Sequence, residues 1–327
     1  MNTKILFITG HRKSGTTMFA NLFDGHEDFC VYPSDLTILY AFYPNFIGKN
    51  FSFNFKKNRL LHVLRTDLTS VLKEKNLIKK FSLKKMLSLI KKKLTKKNID
   101  RIDLILKLVL KSYLNTLNEK KIFKYLVIKE TSVDIFANKI NQWFKDIKFI
   151  QILRDPRDNY ASLKSGHSKH YSKIGESEKK LLASMINRAK LDLKFAAINP
   201  NIIGKKKYKI VKFENLVKNP KKIITKICKY LGVKFNNRLL YPSIMNVATK
   251  GNSYDGEDFT AQISKLNVGN WKKRINQSEA QIIEFFMKNE MKKHKYKIFY
   301  KNINYDVISD FYNWTNKEFF FHDSFKK

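Results

Sequence analysis

Gly10-His11-Arg12-Lys13-Ser14-Gly15-Thr16-Thr17 is the stretch on which the fold turns. Ile5-Leu6-Phe7-Ile8 precedes it, an apolar run that reads as a buried first strand. Met18-Phe19-Ala20-Asn21-Leu22-Phe23 follows, with apolar residues at helical spacing. A strand, a loop with two glycines and then a helix make a phosphate cradle. The glycines let backbone N–H groups turn inward, and the helix start adds partial positive charge.

Outward from the loop, strands and helices alternate. Asp28-Phe29-Cys30-Val31 reads as a second strand, with Pro33 breaking it so that Asp35 falls in a loop or helix start at the sheet's carboxyl edge. Tyr125–Ile128, Lys148–Leu153 and Tyr208–Phe213 read as further strands, the first two running into Lys129 and Arg154. Asp155-Pro156 starts a helix, Asp as N-cap and Pro in the first turn. Asn219-Pro220 starts another, which Gly232 stops. Ser278-Glu279-Ala280-Gln281 has capping-box spacing before the last helix. Between about 59 and 121 the chain is lysine-rich and helical. Ile102, Ile105, Leu106, Val109, Leu110 and Tyr113 form one stripe, core-facing or, as the alternative, membrane-binding. The expectation is an α/β, three-layer, P-loop-NTPase-like fold: a central, mostly parallel sheet flanked by helices. One domain spans 1–300 with a helical insertion at about 43–121. Residues 301–327 form an extension read as strand-like or as an oligomer contact.

A hydrophobic content of 43% marks a globular chain. Lys and Arg number 65 against 28 Asp and Glu, a formal +37, which suits anionic partners unless it is only lysine-rich drift. Cys30 and Cys228 are too few for a disulfide framework, which favours a reducing, cytoplasmic setting. A strand from about Lys4 leaves no room for a secretory signal, and no run reaches the ~18 apolar residues of a membrane span. Surface contact with anionic lipid stays open.

The Gly10–Gly15 spacing matches a nucleoside-triphosphate P-loop, but Thr16-Thr17 stands where Lys-Ser/Thr is expected, and the lysine lies inside the loop at Lys13. In a parallel sheet, ligands sit at the carboxyl ends of the strands, where Lys13, Lys129 and Arg154 all fall. Ser162 lies two turns into the helix after Arg154, placed to grip a second phosphate with it. A ligand phosphorylated at two separate positions fits this better than a triphosphate.

These residues resemble the sulfotransferases that use 3′-phosphoadenosine-5′-phosphosulfate (PAPS). Lys13-Ser14-Gly15-Thr16-Thr17 is similar to their 5′-phosphosulfate loop, and Arg154 to Ser162 to their 3′-phosphate segment. Lys129-Glu130-Thr131 resembles the turn ending their central strand. Val268-Gly269-Asn270-Trp271-Lys272 resembles the late loop over the 3′-phosphate, where Lys265 is the one candidate left of an Arg-Lys-Gly run. The resemblance implies PAPS as co-substrate, 3′,5′-ADP as product and no metal. It implies binding by Arg12, Lys13, Ser14, Gly15, Thr16, Thr17, Arg154, Ser162 and Lys265, with Lys13 and Lys129 on the transferring charge. It also implies a small-molecule or glycan acceptor, a saccharide or glycolipid hydroxyl or amine, and no nucleic acid. Thr131 stands where some relatives have a base histidine, and Pro33-Ser34-Asp35 has the form of a bacterial base motif. Asp35 is therefore the first candidate base, Glu130 the second, and His167 or His170 the third. The competing readings are a P-loop kinase-like phosphotransferase and a nucleic-acid-binding protein built on charge.

Overall fold

The computed structural model describes residues 3–38, 51–74, 81–117, 121–248 and 263–318. Five parallel strands form the central sheet: β1 (Lys4–Thr9), β2 (Phe29–Asp35), β3 (Tyr125–Lys129), β4 (Ile147–Leu153) and β5 (Tyr208–Lys212), in the order β2-β3-β1-β4-β5. β1 lies at the centre between β3 and β4, so its loop emerges in the middle of the carboxyl edge. Both faces of the sheet are covered, and successive side chains go to opposite faces. Leu6 and Ile8 pack with Phe19 and Ala20 of α1 (Thr16–Asn21). Ile5 and Phe7 pack against the helical insertion instead.

The insertion comprises α2 (Phe53–Glu74), α3 (Leu83–Lys93) and α4 (Ile102–Leu114). Leu60, Leu64, Leu68 and Leu72 recur every four residues along α2 and are all buried. The α4 stripe is core-facing: Ile105, Leu106, Val109, Leu110 and Tyr113 are buried, and the Tyr113 hydroxyl donates to the Val31 carbonyl at 2.9 Å. Residues 43–50 of the expected insertion lie outside the described residues, as do 249–262 of the polar segment.

Beyond β3 come α5 (Ala137–Trp143), α6 (Pro156–Lys164), α7 (Glu178–Ile202), α8 (Phe213–Lys218) and α9 (Pro220–Leu231). Then follow α10 (Trp271–Arg274), α11 (Gln277–Lys293) and α12 (Tyr305–Glu318). Three expectations change. Pro33 does not end β2, which runs on to Asp35 with a shifted register after Val31; β2 is an edge strand, where a missing N–H is tolerated. The capping box belongs to Asn276 and Glu279 rather than Ser278 and Gln281: the Asn276 side chain accepts from the Glu279 N–H at 2.8 Å, and Glu279 accepts from the Asn276 N–H at 2.9 Å. The tail is helical through Glu318, because Ile308 and Phe311 bury a face against the layer formed by α7 and α11. Among the described residues, no helix is long and apolar enough to cross a membrane.

Candidate active site

The first loop is shaped by two glycines. Gly10 has φ +143, and a Cβ there would lie 2.3 Å from the Ile152 carbonyl oxygen, so only glycine lets β1 leave the sheet beside β4. Gly15 has φ +91 and caps α1, and a Cβ there would strike the Phe213 ring at 2.6 Å. Between them Lys13 is left-handed, with φ 64. Ser14 turns both donors onto the loop itself: its N–H and its hydroxyl reach the His11 carbonyl at 3.0 and 2.6 Å. Thr16 and Thr17 start α1, Thr16 buried and Thr17 half-buried. Arg12 leans away from the sheet edge, its guanidinium 5.3 Å from the Tyr171 ring centroid and 3.4 Å from the Ser184 hydroxyl.

On one side of the loop, β2 and β3 end together. Asp35 and Lys129 are register partners and form an ion pair in which the lysine is buried and the Asp35 side chain is 43% exposed. Glu130 follows, its N–H on the Ile8 carbonyl at 3.1 Å. One Glu130 carboxyl oxygen accepts from the Thr131 N–H at 2.8 Å, while Oε2 is buried with no hydrogen-bond partner among the described residues. Burial first, and the Asp35 charge second, push the Glu130 carboxyl up to about 8. Asp67 of α2 accepts a hydrogen bond from Thr37, so the insertion supplies a third carboxylate beside this edge. Its carboxyl is raised, by burial and then, after the opposing Thr37 hydrogen bond, by Asp35. His167 and His170 do not join this group. The His167 ring lies 2.7 Å from the Glu176 carbonyl, and His170 packs on Tyr171.

On the other side, Arg154 bridges two loops. One guanidinium nitrogen donates to the Lys13 carbonyl at 2.6 Å and the other to the Asn267 carbonyl at 2.7 Å, while Phe213 lies beneath at 4.8 Å. Ser162 sits on α6 behind it, 7% exposed. The late loop is pinned from α6, with the Gly269 and Trp271 N–H groups donating to Asp158 at 2.7 and 3.0 Å. Lys265 is exposed on this loop. Glu214 holds the Asp155 N–H at 2.8 Å, a structural anchor for the segment that carries Arg154. Arg157, three residues beyond Arg154, is fully buried. It pairs with Asp155 and Glu284 and stacks between Trp271 and Phe299 at 4.4 and 5.0 Å. The partners that bury it lie far along the chain, beyond the reach of local pattern.

The donor set fits a doubly phosphorylated ligand. Arg154 is almost wholly buried, forms no ion pair among the described residues, and keeps Nε without a hydrogen-bond partner. Burial lowers its pKa against the opposing pull of Asp158, Glu214 and Asp155. A desolvated guanidinium resting on carbonyls is costly until an anion meets it. Among the described residues, no group of three or more His, Cys, Asp or Glu could hold a metal.

The sulfotransferase family model matches residues 6–237. No curated protein matches the chain. Two solved structures share its fold at 16% identity. The sulfotransferase domain of the curacin biosynthetic pathway has a TM-score of 0.57, over 91% of this chain and 99% of that one. The sulfotransferase domain of the Synechococcus PCC 7002 olefin synthase has a TM-score of 0.54, over 91% and 97%. With a family match across most of its length, the chain belongs to the sulfotransferase family.

Proposed function

We propose that the chain transfers a sulfuryl group to a hydroxyl or amine of a polyhydroxylated acceptor, a saccharide or glycolipid, with Asp35 as general base. The observation that carries this reading is the division of the sheet edge: Arg154 resting on two carbonyls with no ion pair among the described residues, and Lys129 paired with Asp35 beside Glu130 and Asp67. When bound, PAPS supplies the sulfuryl group on a phosphate leaving group. Lys13 and the N–H groups at the start of α1 meet the negative charge that develops there. Arg154 and Ser162 hold the second phosphate, and Lys265 approaches it from the late loop. Arg12 stiffens the loop through α7 rather than touching the ligand.

Asp35 is the exposed carboxylate of its group, open to an acceptor and held in place by its ion pair with Lys129. Glu130 is protonated at neutral pH and serves as a hydrogen-bond donor, not as the base. Asp35 and Asp67 give acceptor hydroxyls carboxylate oxygens to bond to, which supports a saccharide over an apolar acceptor. A cytoplasmic setting is part of the same proposal, supported by Cys30 and Cys228 being buried in different parts of the core and not joined in a disulfide. The test is transfer of labelled sulfonate from PAPS to a panel of saccharides, amino sugars, sterols and phenols. Labelling of sugars with loss in Asp35→Asn supports the reading. Labelling confined to sterols or phenols overturns the acceptor class.

A further inference from the structure

Beside the Arg154 site stands a buried carboxylate that the transfer reaction does not use. Asp158 lies in the first turn of α6, four residues before Ser162, so the two share a face of that helix. Both of its oxygens are taken by backbone of the late loop. Oδ2 accepts from the Gly269 N–H at 2.7 Å, and Oδ1 accepts from the Trp271 N–H at 3.0 Å. Gly269 has φ 72, a left-handed backbone that glycine enters without strain, and the turn it makes brings both N–H groups onto one carboxylate. Two residues earlier the same loop offers its Asn267 carbonyl to the Arg154 guanidinium at 2.7 Å. At the far end the buried Trp271 ring lies on the Arg157 guanidinium at 4.4 Å, and Asp155 and Glu284 hold that arginine in turn.

We infer that Asp158 is a positioning residue for the second phosphate: it latches the late loop across the α6 face that carries Ser162, and so holds one wall of the Arg154 site in place. The loop meets the segment after β4 at three points, its Asn267 carbonyl at Arg154 and its two N–H groups at Asp158. The choice of an acid at this position is the telling feature. A buried carboxylate four residues from Arg154 opposes an anion bound there, and a neutral side chain would not. Burial also works against the acid, raising its carboxyl above the ordinary value. What a carboxylate supplies in return is two acceptor oxygens on one rigid fork, matched to two N–H donors two residues apart. A loop that must order itself when its ligand arrives costs affinity, and a loop already tied to α6 avoids that cost. The latch therefore acts on the second phosphate through Arg154 and the late loop, without touching the ligand itself.

This inference rests on reading Arg154 and Ser162 as the grip on a second phosphate, and its test separates the two. Calorimetry measures the affinity of 3′,5′-ADP, and of 5′-AMP, which lacks the second phosphate, for the wild type, Asp158→Asn and Asp158→Ala. Both variants should lose on the order of tenfold in 3′,5′-ADP affinity, with 5′-AMP affinity unchanged. The sign is diagnostic, because an acid acting only through its charge would give stronger anion binding on removal. Stronger or unchanged 3′,5′-ADP binding in the variants, or an equal loss for both nucleotides, overturns the latch. A wild type that does not prefer 3′,5′-ADP to 5′-AMP counts instead against the second-phosphate reading, and hydrogen exchange then decides the latch alone. In the ligand-free wild type the Gly269 and Trp271 amides should be protected, and in both variants they should exchange about tenfold faster or more. Free exchange of these amides in the wild type, which needs no variant to observe, or wild-type protection in the variants, overturns the proposal.

Discussion

The two sides of the first loop are built on opposite electrostatic plans. Toward β4, Arg154 is desolvated, rests on the Lys13 and Asn267 carbonyls and forms no ion pair among the described residues, with Asp158, Glu214 and Asp155 near it but not in contact. Toward β2, Lys129 is bound to Asp35, with Glu130 and Asp67 close by. One side keeps positive charge for a ligand, and the other neutralises it with side chains that can take or share a proton. The difference lies in direct pairing: Lys129 has a carboxylate in contact, and Arg154 has none among the described residues. On the proposed reading, this contrast lets one sheet edge bind a multiply anionic donor and still deprotonate an acceptor.

The contrast can be broken at four points. Lys13→Ala removes the cation nearest the developing charge and should lower kcat by about 10³-fold. A loss confined to KM would place Lys13 in ground-state binding instead. Asp35→Asn should lower kcat by about 10²-fold while 3′,5′-ADP affinity stays unchanged, read by parallel kinetics and calorimetry. Retained turnover would move the base elsewhere. Glu130→Gln should change kcat at pH 7 by only about threefold, because the native group is already protonated there. Its thermal stability should show the larger signal. A carboxyl raised from 4.5 to about 8 holds its proton in the folded state while the unfolded chain has lost it. The wild type therefore loses stability relative to Glu130→Gln as pH rises from about 4.5 to about 8, with a constant gap above that. A gap independent of pH would contradict the raised value. Lys265→Ala, at an exposed position, should weaken 3′,5′-ADP binding about threefold or less.

Much of this architecture is legible in the chain because it is locally encoded. Alternating apolar runs mark the strands, and Asp155-Pro156 and Gly232 punctuate helices where their backbone preferences require. The placement of Lys13, Lys129 and Arg154 along one sheet edge is readable because each lies at or just after a strand end of a parallel sheet. Other features depend on partners distant in sequence. Arg157 looks like a cleft arginine until Glu284 and Trp271 close around it. The Lys129–Asp35 pair depends on β2 running past Pro33, which turn chemistry argued against.

The most direct test of the central claim is calorimetric titration of the wild type and Arg154→Ala with 3′,5′-ADP, ATP·Mg and single-stranded DNA. The account predicts that 3′,5′-ADP binds most tightly to the wild type and that Arg154→Ala loses on the order of 30-fold or more of that affinity. A preference for ATP·Mg, or 3′,5′-ADP affinity unchanged in Arg154→Ala, would contradict it.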